Sequence, residues 1–397
     1  MVCHIWSRNT MVHIAFCYFL ASLSIMGSIE VALASMVLAP RAIPETLVIG
    51  YAHNAGAKVE KAIQQGVNVV CWSFVDMVAR DNEPCFETNL NLMGIAKLRS
   101  KFPKVLHLAG IGGWNGPHPP SLAGVTGQDW CRAFVDFNSK HENIFDGIDW
   151  DLEGHDDRAA PTSVFTKETL DIMADMSTDA KKRYGLIVSM APAESYLDAL
   201  LPSPAFSYQL NVFPEAWSHS EADRAVVESN HFAHAGVQCY AYVLHRTGVD
   251  VFDWISLQLY EAYSRFLFDT TRVQTTTQPQ SQTDALVQRA LMLNSGFDVE
   301  LPSPYGMVSI QIPLDRLVFG VANGWADGIK FPRVDPKSLA QANQNLKEME
   351  HGQGFRGAMF WTIEEEGRVD AEDMASSLAS IFSVNIISEN QQSTKEL

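Results

Sequence analysis

Eight short apolar runs recur along this chain, and between most of them the apolar residues shift to the 3.6-residue period of amphipathic helices. The runs fall at residues 47–51, 68–74, 105–110, 145–153, 186–191, 254–260, 317–321 and 358–362. Strands that alternate with helices build a parallel sheet, and eight parallel strands is the number that closes a TIM barrel. The expected fold class is therefore α/β, a single TIM (β/α)8 barrel over residues 46–383. The 397 residues, 47% of them hydrophobic, suffice for one large core.

Helix ends can be read in several places. Asp335-Pro336 is an N-cap followed by proline at the first helical position, with Leu339, Ala342, Leu346 and Met349 on one face. The helix after the fourth strand runs to Lys181, Lys182 and Arg183 and stops at Gly185; the cations suit the negative end of the helix dipole. Another spans about 284–293 and stops near Gly296. Two stretches break the rhythm. The segment between the fifth and sixth strands, residues 192–253, is elongated and rich in Pro, His and aromatics, with 221–227 expected as its ordinary crossover helix. Residues 274–283, rich in Thr and Gln, read as a surface loop, and 384–397 as a polar tail.

The fourth run, F-D-G-I-D-W-D-L-E from Phe145 to Glu153, carries the chemistry. Side chains along a strand alternate faces, so Asp149, Asp151 and Glu153 share one face and Ile148, Trp150 and Leu152 the other. With the apolar row against helices, three carboxylates line the barrel interior. Like charges this close cannot all ionise, so at least one keeps a proton near neutral pH, which general acid catalysis requires. Asp146 has the opposite parity and is expected to brace the strand start. Barrel enzymes place catalytic groups at strand C-termini, and Glu153 stands there.

This stretch resembles the D-G-x-D-x-D-x-E signature of the family 18 glycoside hydrolases, the chitinase family, with every acidic position filled. Trp150 departs from the aliphatic residue or Phe usual there. The resemblance implies that Glu153 protonates the glycosidic oxygen while the substrate's own 2-acetamido oxygen attacks the anomeric carbon. Asp151 would hold the acetamido N–H, and Asp149 would tune both acids. Gln258-Leu259-Tyr260 resembles the family's Q-x-Y or M-x-Y element, implying that Tyr260 holds the acetamido carbonyl and that Gln258 belongs to the substrate site; Glu261 follows where Asn or Asp is usual. Trp361 matches the indole that floors the subsite of the cleaved sugar. Gly110-Ile111-Gly112-Gly113-Trp114 resembles S-x-G-G with Gly110 in place of Ser, so Gly112 and Gly113 are expected close under the acids. Ser189-Met190-Ala191-Pro192 resembles the usual end of the fifth strand, where Met190 would touch the acetamido methyl. Tyr51, Trp114, Trp217 and Trp325 are candidate sugar platforms.

Composition narrows the alternatives. A net charge of −17 argues against nucleic acid or an anionic membrane as partner. No Gly-Lys-Ser/Thr follows the glycine run, no G-x-S-x-G elbow occurs, and His231-x-x-His234 lacks a completing ligand, so neither cofactor nor metal is expected. Residues 11–28 are apolar after Arg8 and precede Ala32-Leu33-Ala34, which reads as a signal peptide over 1–34 and a secreted protein; an uncleaved membrane anchor is the alternative. Cys71, Cys85, Cys131 and Cys239 then remain, which permits disulfides without revealing a pairing. The expected activity is hydrolysis of β-1,4 links in chitin or N-acetylglucosamine oligosaccharides by a monomer. An endo-β-N-acetylglucosaminidase would use the same acids. A chitinase-like lectin typically lacks the Glu or a neighbouring Asp, and neither is missing here.

Overall fold

A computed structural model describes residues 41–154, 165–201, 203–208, 237–261, 264–271, 279–326, 328, 331–350, 352–365 and 373–384. The strands, in chain order, are β1 Leu47–Ala52, β2 Val69–Ser73, β3 Val75–Arg80, β4 Glu83–Thr88, β5 Leu106–Gly113, β6 Gly147–Leu152, β7 Ile187–Met190, β8 Trp254–Gln258, β9 Phe297–Leu301, β10 Gly306–Ile310, β11 Leu317–Ala322 and β12 Gly357–Trp361. Eight of them close a barrel in the order β1-β2-β5-β6-β7-β8-β11-β12, all parallel. These are the eight expected strands. Among the described residues the helices are α1 Ala57–Gln64, α2 Leu92–Lys101, α3 Gly127–Lys140, α4 Lys167–Lys182, α5 Cys239–Thr247, α6 Arg265–Thr271, α7 Gln282–Ser295, α8 Pro336–Met349 and α9 Met374–Ile381.

The predicted alternation along β6 holds. Ile148, Trp150 and Leu152 are fully buried in the layer between sheet and helices. Trp150 Nε1 donates to the Ser177 hydroxyl of α4 at 2.7 Å, which donates on to Met173 O at 2.6 Å. Burying such side chains stabilises by about 1.5–3 kcal/mol each. The opposite faces of the strands form a second cluster inside the barrel, including Leu47, Ile49, Val69, Leu108, Ile187, Trp254 and Met359. Asp146 braces the start of β6 as expected. Its carboxylate accepts His107 N of β5 at 2.9 Å and pairs with Arg99 at 2.7 Å and Arg41 at 3.2 Å. Burial, with Arg99 and Arg41 nearby, lowers the His107 imidazole to about 3, so it stays neutral and accepts Trp72 Nε1 at 3.1 Å.

Helix caps follow the sequence closely. Asp335 accepts Lys337 N ahead of Pro336, α4 ends at Lys182 with Gly185 at φ +66°, and α7 stops at Gly296, φ +93°. Several expectations change. Met349 is 56% exposed, because α8 ends there and its last turn overhangs the core. Two antiparallel hairpins, β3–β4 and β9–β10, decorate the barrel and were not anticipated. The crossover entering β8 is α5, whose residues Cys239–Leu244 are all buried; the proposed helix at 221–227 lies outside the described residues. So do the signal region 1–34, Trp217, His231, His234 and the tail beyond 384. Cys71, Cys85, Cys131 and Cys239 are all free thiols. No helix of the described residues is long and apolar enough to cross a membrane.

Candidate active site

The C-terminal ends of the barrel strands converge on four carboxylates. Asp149, Asp151 and Glu153 come from β6 and its end, and Glu261 from the turn after β8; all four are at least nine-tenths buried. Register places Asp149 beside Gly110 and Ser189, and Asp151 beside Gly112, on the inward face.

The deepest acid, Asp149, accepts hydrogen bonds from the hydroxyls of Tyr51 on β1 and Ser189 on β7. Burial pushes it up to about 6, although Ser189, Tyr51 and Cys71 stabilise its anion. Asp151 accepts Gln258 Nε2 at 2.6 Å, and the same amide donates to Ala191 O at 2.6 Å. Burial raises Asp151 well above the usual carboxylate range, and Asp149 and Glu261 add to the effect. Glu153 is raised strongly too, by burial first and then by the charges of Asp151 and Glu261. The hydrogen bond between Glu153 and Asp151 favours the proton on Glu153 and the anion on Asp151. Glu153 is thus the donor of the pair, and the acids titrate as a group. No N–H or hydroxyl of the described residues reaches Glu153 Oε2. From behind, His118 Nε2 lies 2.8 Å from the Glu153 carbonyl, and the Tyr240 hydroxyl donates to Leu152 O at 2.9 Å.

Above the acids lies an aromatic cup of about 170 Å³, lined by Phe74, Trp114, Glu153, Tyr260, Glu261, Trp325, Phe331 and Trp361. Trp361 ends β12 as predicted and stacks on Phe74 with ring centroids 5.8 Å apart and planes 17° apart. Trp325 donates its Nε1 to Trp361 O at 2.7 Å and stands edge-on to Tyr260 at 6.0 Å. Burial and the surrounding carboxylates hold the Tyr260 phenol well above its ordinary pKa, so it stays a hydrogen-bond donor. Trp114 and Trp325 also line the cup.

Three expectations need correction. Met190 is fully buried in the sheet–helix layer, paired in register with Trp150 rather than Asp149, so its odd step in the strand points it away from the cup. Tyr51 is 1% exposed beneath the acids and offers no face to a sugar; its hydroxyl holds Asp149. Gln258 is fully buried and serves Asp151 rather than a ligand. Gly112 and Gly113 do lie close under the acids, as spacers, both at positive φ. A Cβ on Gly112 would lie 2.4 Å from Asp151 O, and one on Gly113 2.3 Å from the Phe74 ring, so only glycine lets β6 and Phe74 approach.

Phe74, Phe331 and the inward Glu261 were not read as site residues. Phe74 closes the second apolar run, where a strand-end aromatic was visible. Phe331 sits in a loop with no periodic signal. Among the described residues no group of three or more His, Cys, Asp or Glu is arranged to hold a metal.

Neither the family profiles nor the curated proteins give a match in sequence. Solved structures do match in fold. A family GH18 chitinase from Chromobacterium violaceum superposes with a TM-score of 0.58 at 16% identity, covering 87% of this chain and 85% of that one. The Legionella pneumophila ChiA C-terminal domain gives 0.53 at 14% identity, with coverage of 84% and 97%. A GH18 chitinase from Pseudoalteromonas aurantia gives 0.51 at 14% identity, with coverage of 85% and 100%. At such identities the likeness is one of architecture, and the chain is built on the barrel fold of the family 18 glycoside hydrolases.

Proposed function

We propose that this protein is a secreted chitinase that hydrolyses β-1,4 bonds between N-acetylglucosamine units with retention of configuration. One observation carries the reading: a buried carboxylic acid, Glu153, sits at the C-terminal mouth of the barrel, proton-bearing against Asp151, lining an aromatic cup and with one oxygen that has no hydrogen-bond partner among the described residues. An indole such as Trp361 suits the face of a pyranose ring.

In the forward step the 2-acetamido carbonyl oxygen attacks the anomeric carbon. The glycosidic C–O bond breaks as Glu153 delivers its proton to the departing oxygen, leaving an oxazolinium ion. Asp151, held by Gln258, accepts the acetamido N–H and offsets the positive charge; the Tyr260 hydroxyl donates to the attacking carbonyl oxygen. Water then attacks the anomeric carbon as its bond to the acetamido oxygen breaks and the acetamide is restored, Glu153 takes the proton from the water, and two displacements on one centre retain the configuration. Asp149 supplies a further buried acid whose proton adjusts the charge that the pair above must bear.

Turnover of a fluorogenic chitobioside tests this. Wild type should release the fluorophore, and Glu153→Gln should lower kcat by about 10²–10⁴-fold. A wild-type protein that binds chitin beads but releases nothing at any pH would be a lectin.

A further inference from the structure

The strand that carries Glu153 stops short of it. β6 ends at Leu152, whose register partner is Gly113 of β5, and pairing with β7 ends earlier, at Trp150. A chain that has left the ladder loses the hydrogen bonds that fix its backbone, and its carbonyls need other donors. Three successive carbonyls find them outside the barrel sheet. The Tyr240 hydroxyl of α5 donates to Leu152 O at 2.9 Å, and Asn115 N donates to Gly154 O at 3.2 Å. Between them, His118 Nε2 lies 2.8 Å from Glu153 O. A carbonyl only accepts, so His118 carries a proton on Nε2 and donates it there.

The histidine is held stiffly. It lies in the run Gly116-Pro117-His118-Pro119-Pro120 between β5 and α3. Gly116 turns the chain back on itself: its N–H donates to Gly113 O at 2.8 Å, and a Cβ there would lie 2.1 Å from Gly112 O. The flanking prolines fix their own φ, and Pro119 restricts the backbone of His118, so little further entropy is lost in placing the ring. The imidazole stacks on the buried ring of Phe165, with centroids 4.9 Å and planes 26° apart, and Phe165 stands edge-on to Tyr240 at 6.3 Å. The donors to Glu153 O and Leu152 O are thus packed against one common ring. His118, Phe165 and Tyr240 all stand outside the cup, so contact with a sugar does not account for them.

Resting on the chitinase reading above, we propose that His118 is a positioning residue for the general acid. Its Nε2–H anchors the Glu153 carbonyl and, with Tyr240 beside it, sets where the Glu153 carboxyl stands against the glycosidic oxygen. Proton transfer needs hydrogen-bond distance to the departing oxygen, so a small displacement of the donor slows it greatly. Sugar binding rests on the aromatic cup, so the effect belongs to kcat.

Two substitutions separate the hydrogen bond from the packing. His118→Phe keeps a ring against Phe165 and removes the donor; His118→Gln removes the ring and keeps an N–H. With folds verified by thermal melting, His118→Phe should lower kcat on a fluorogenic chitobioside by about 10–100-fold with KM unchanged. His118→Gln should stay close to wild type, and His118→Ala, a second variant without the donor, should follow His118→Phe. Were His118 only a packing element of its loop, His118→Gln would be the more damaged of the first pair. Carboxyl ¹³C NMR, with the Glu153 resonance identified by Glu153→Gln, gives a readout apart from turnover. Burial, Asp151 and Glu261 together raise Glu153, so a loosened Glu153 should titrate nearer the usual carboxylate range in His118→Phe than in wild type or His118→Gln. A His118→Phe variant that keeps the wild-type midpoint overturns the proposal, and so does one whose loss falls on KM with kcat intact. A wild type without turnover whose Glu153 midpoint still moves with His118→Phe would sink the hydrolytic reading and leave the anchor standing.

Discussion

Glu153 and Asp151 are near-identical groups two residues apart, and their surroundings give them opposite tasks. Asp151 accepts the Gln258 amide at 2.6 Å, and the hydrogen bond it shares with Glu153 favours the anion on Asp151 and the proton on Glu153, which lines the cavity. Glu261, pushed up to about 7 by burial, has a consequence for stability. An unfolded Glu titrates near 4.3. Between that value and about 7 the folded chain holds one more proton at this site than the unfolded chain does, so stability is complete below the lower value and falls as pH rises through the upper one. Glu261→Gln should therefore lose less thermal stability than wild type between about pH 4.5 and 7. Parallel melting curves for the two proteins across that window would show that Glu261 is not held protonated by burial.

At the scale of the element, period-two alternation carries most of the site, and misreading one step moves a residue to the other side of the wall. Met190 illustrates this: its neighbours Ser189 and Ala191 are inward, so it packs with Trp150 against helices. Met190→Ala should cost about 2–5 kcal/mol in denaturant unfolding while leaving KM for chitin oligomers unchanged. A raised KM with unaltered stability would place Met190 in the cup after all. The barrel strands were legible because each is a compact apolar run. The hairpins were less so. The β3–β4 turn at Asp81-Asn82 takes two positive φ angles, and the alternation of Phe297, Val299 and Leu301 in β9 was available but lay outside the barrel rhythm. Helix α5 escaped because it is apolar over six successive residues, which removes the amphipathic signal.

Across the whole molecule, the stretch after β7 is tied down by buried charge. Glu194 accepts Phe266 N at 2.7 Å and Arg289 Nε at 2.6 Å, and Arg289 reaches on to Asp269 at 2.8 Å, joining the β7 end to α6 and α7. Arg289→Met should destabilise by about 3–5 kcal/mol, since Glu194 would be left buried without its cation. Adding Glu194→Gln should recover part of that loss in urea unfolding. Additive losses in the double variant would mean that the two side chains are not coupled.

Local pattern alone determined the α/β barrel, its eight strands, the caps at Asp335, Gly185 and Gly296, and the inward row of Asp149, Asp151 and Glu153, because strand parity and helix period are properties of neighbouring residues. Tertiary structure decided what those acids face. Tyr51, Gln258 and Ser189 come from other strands and became supports of the acids rather than contacts for a sugar. Phe74, Phe331 and Glu261 became walls of one cup. Such roles depend on the closure of the barrel, which brings together side chains more than a hundred residues apart, and on burial, which sets where the protons rest.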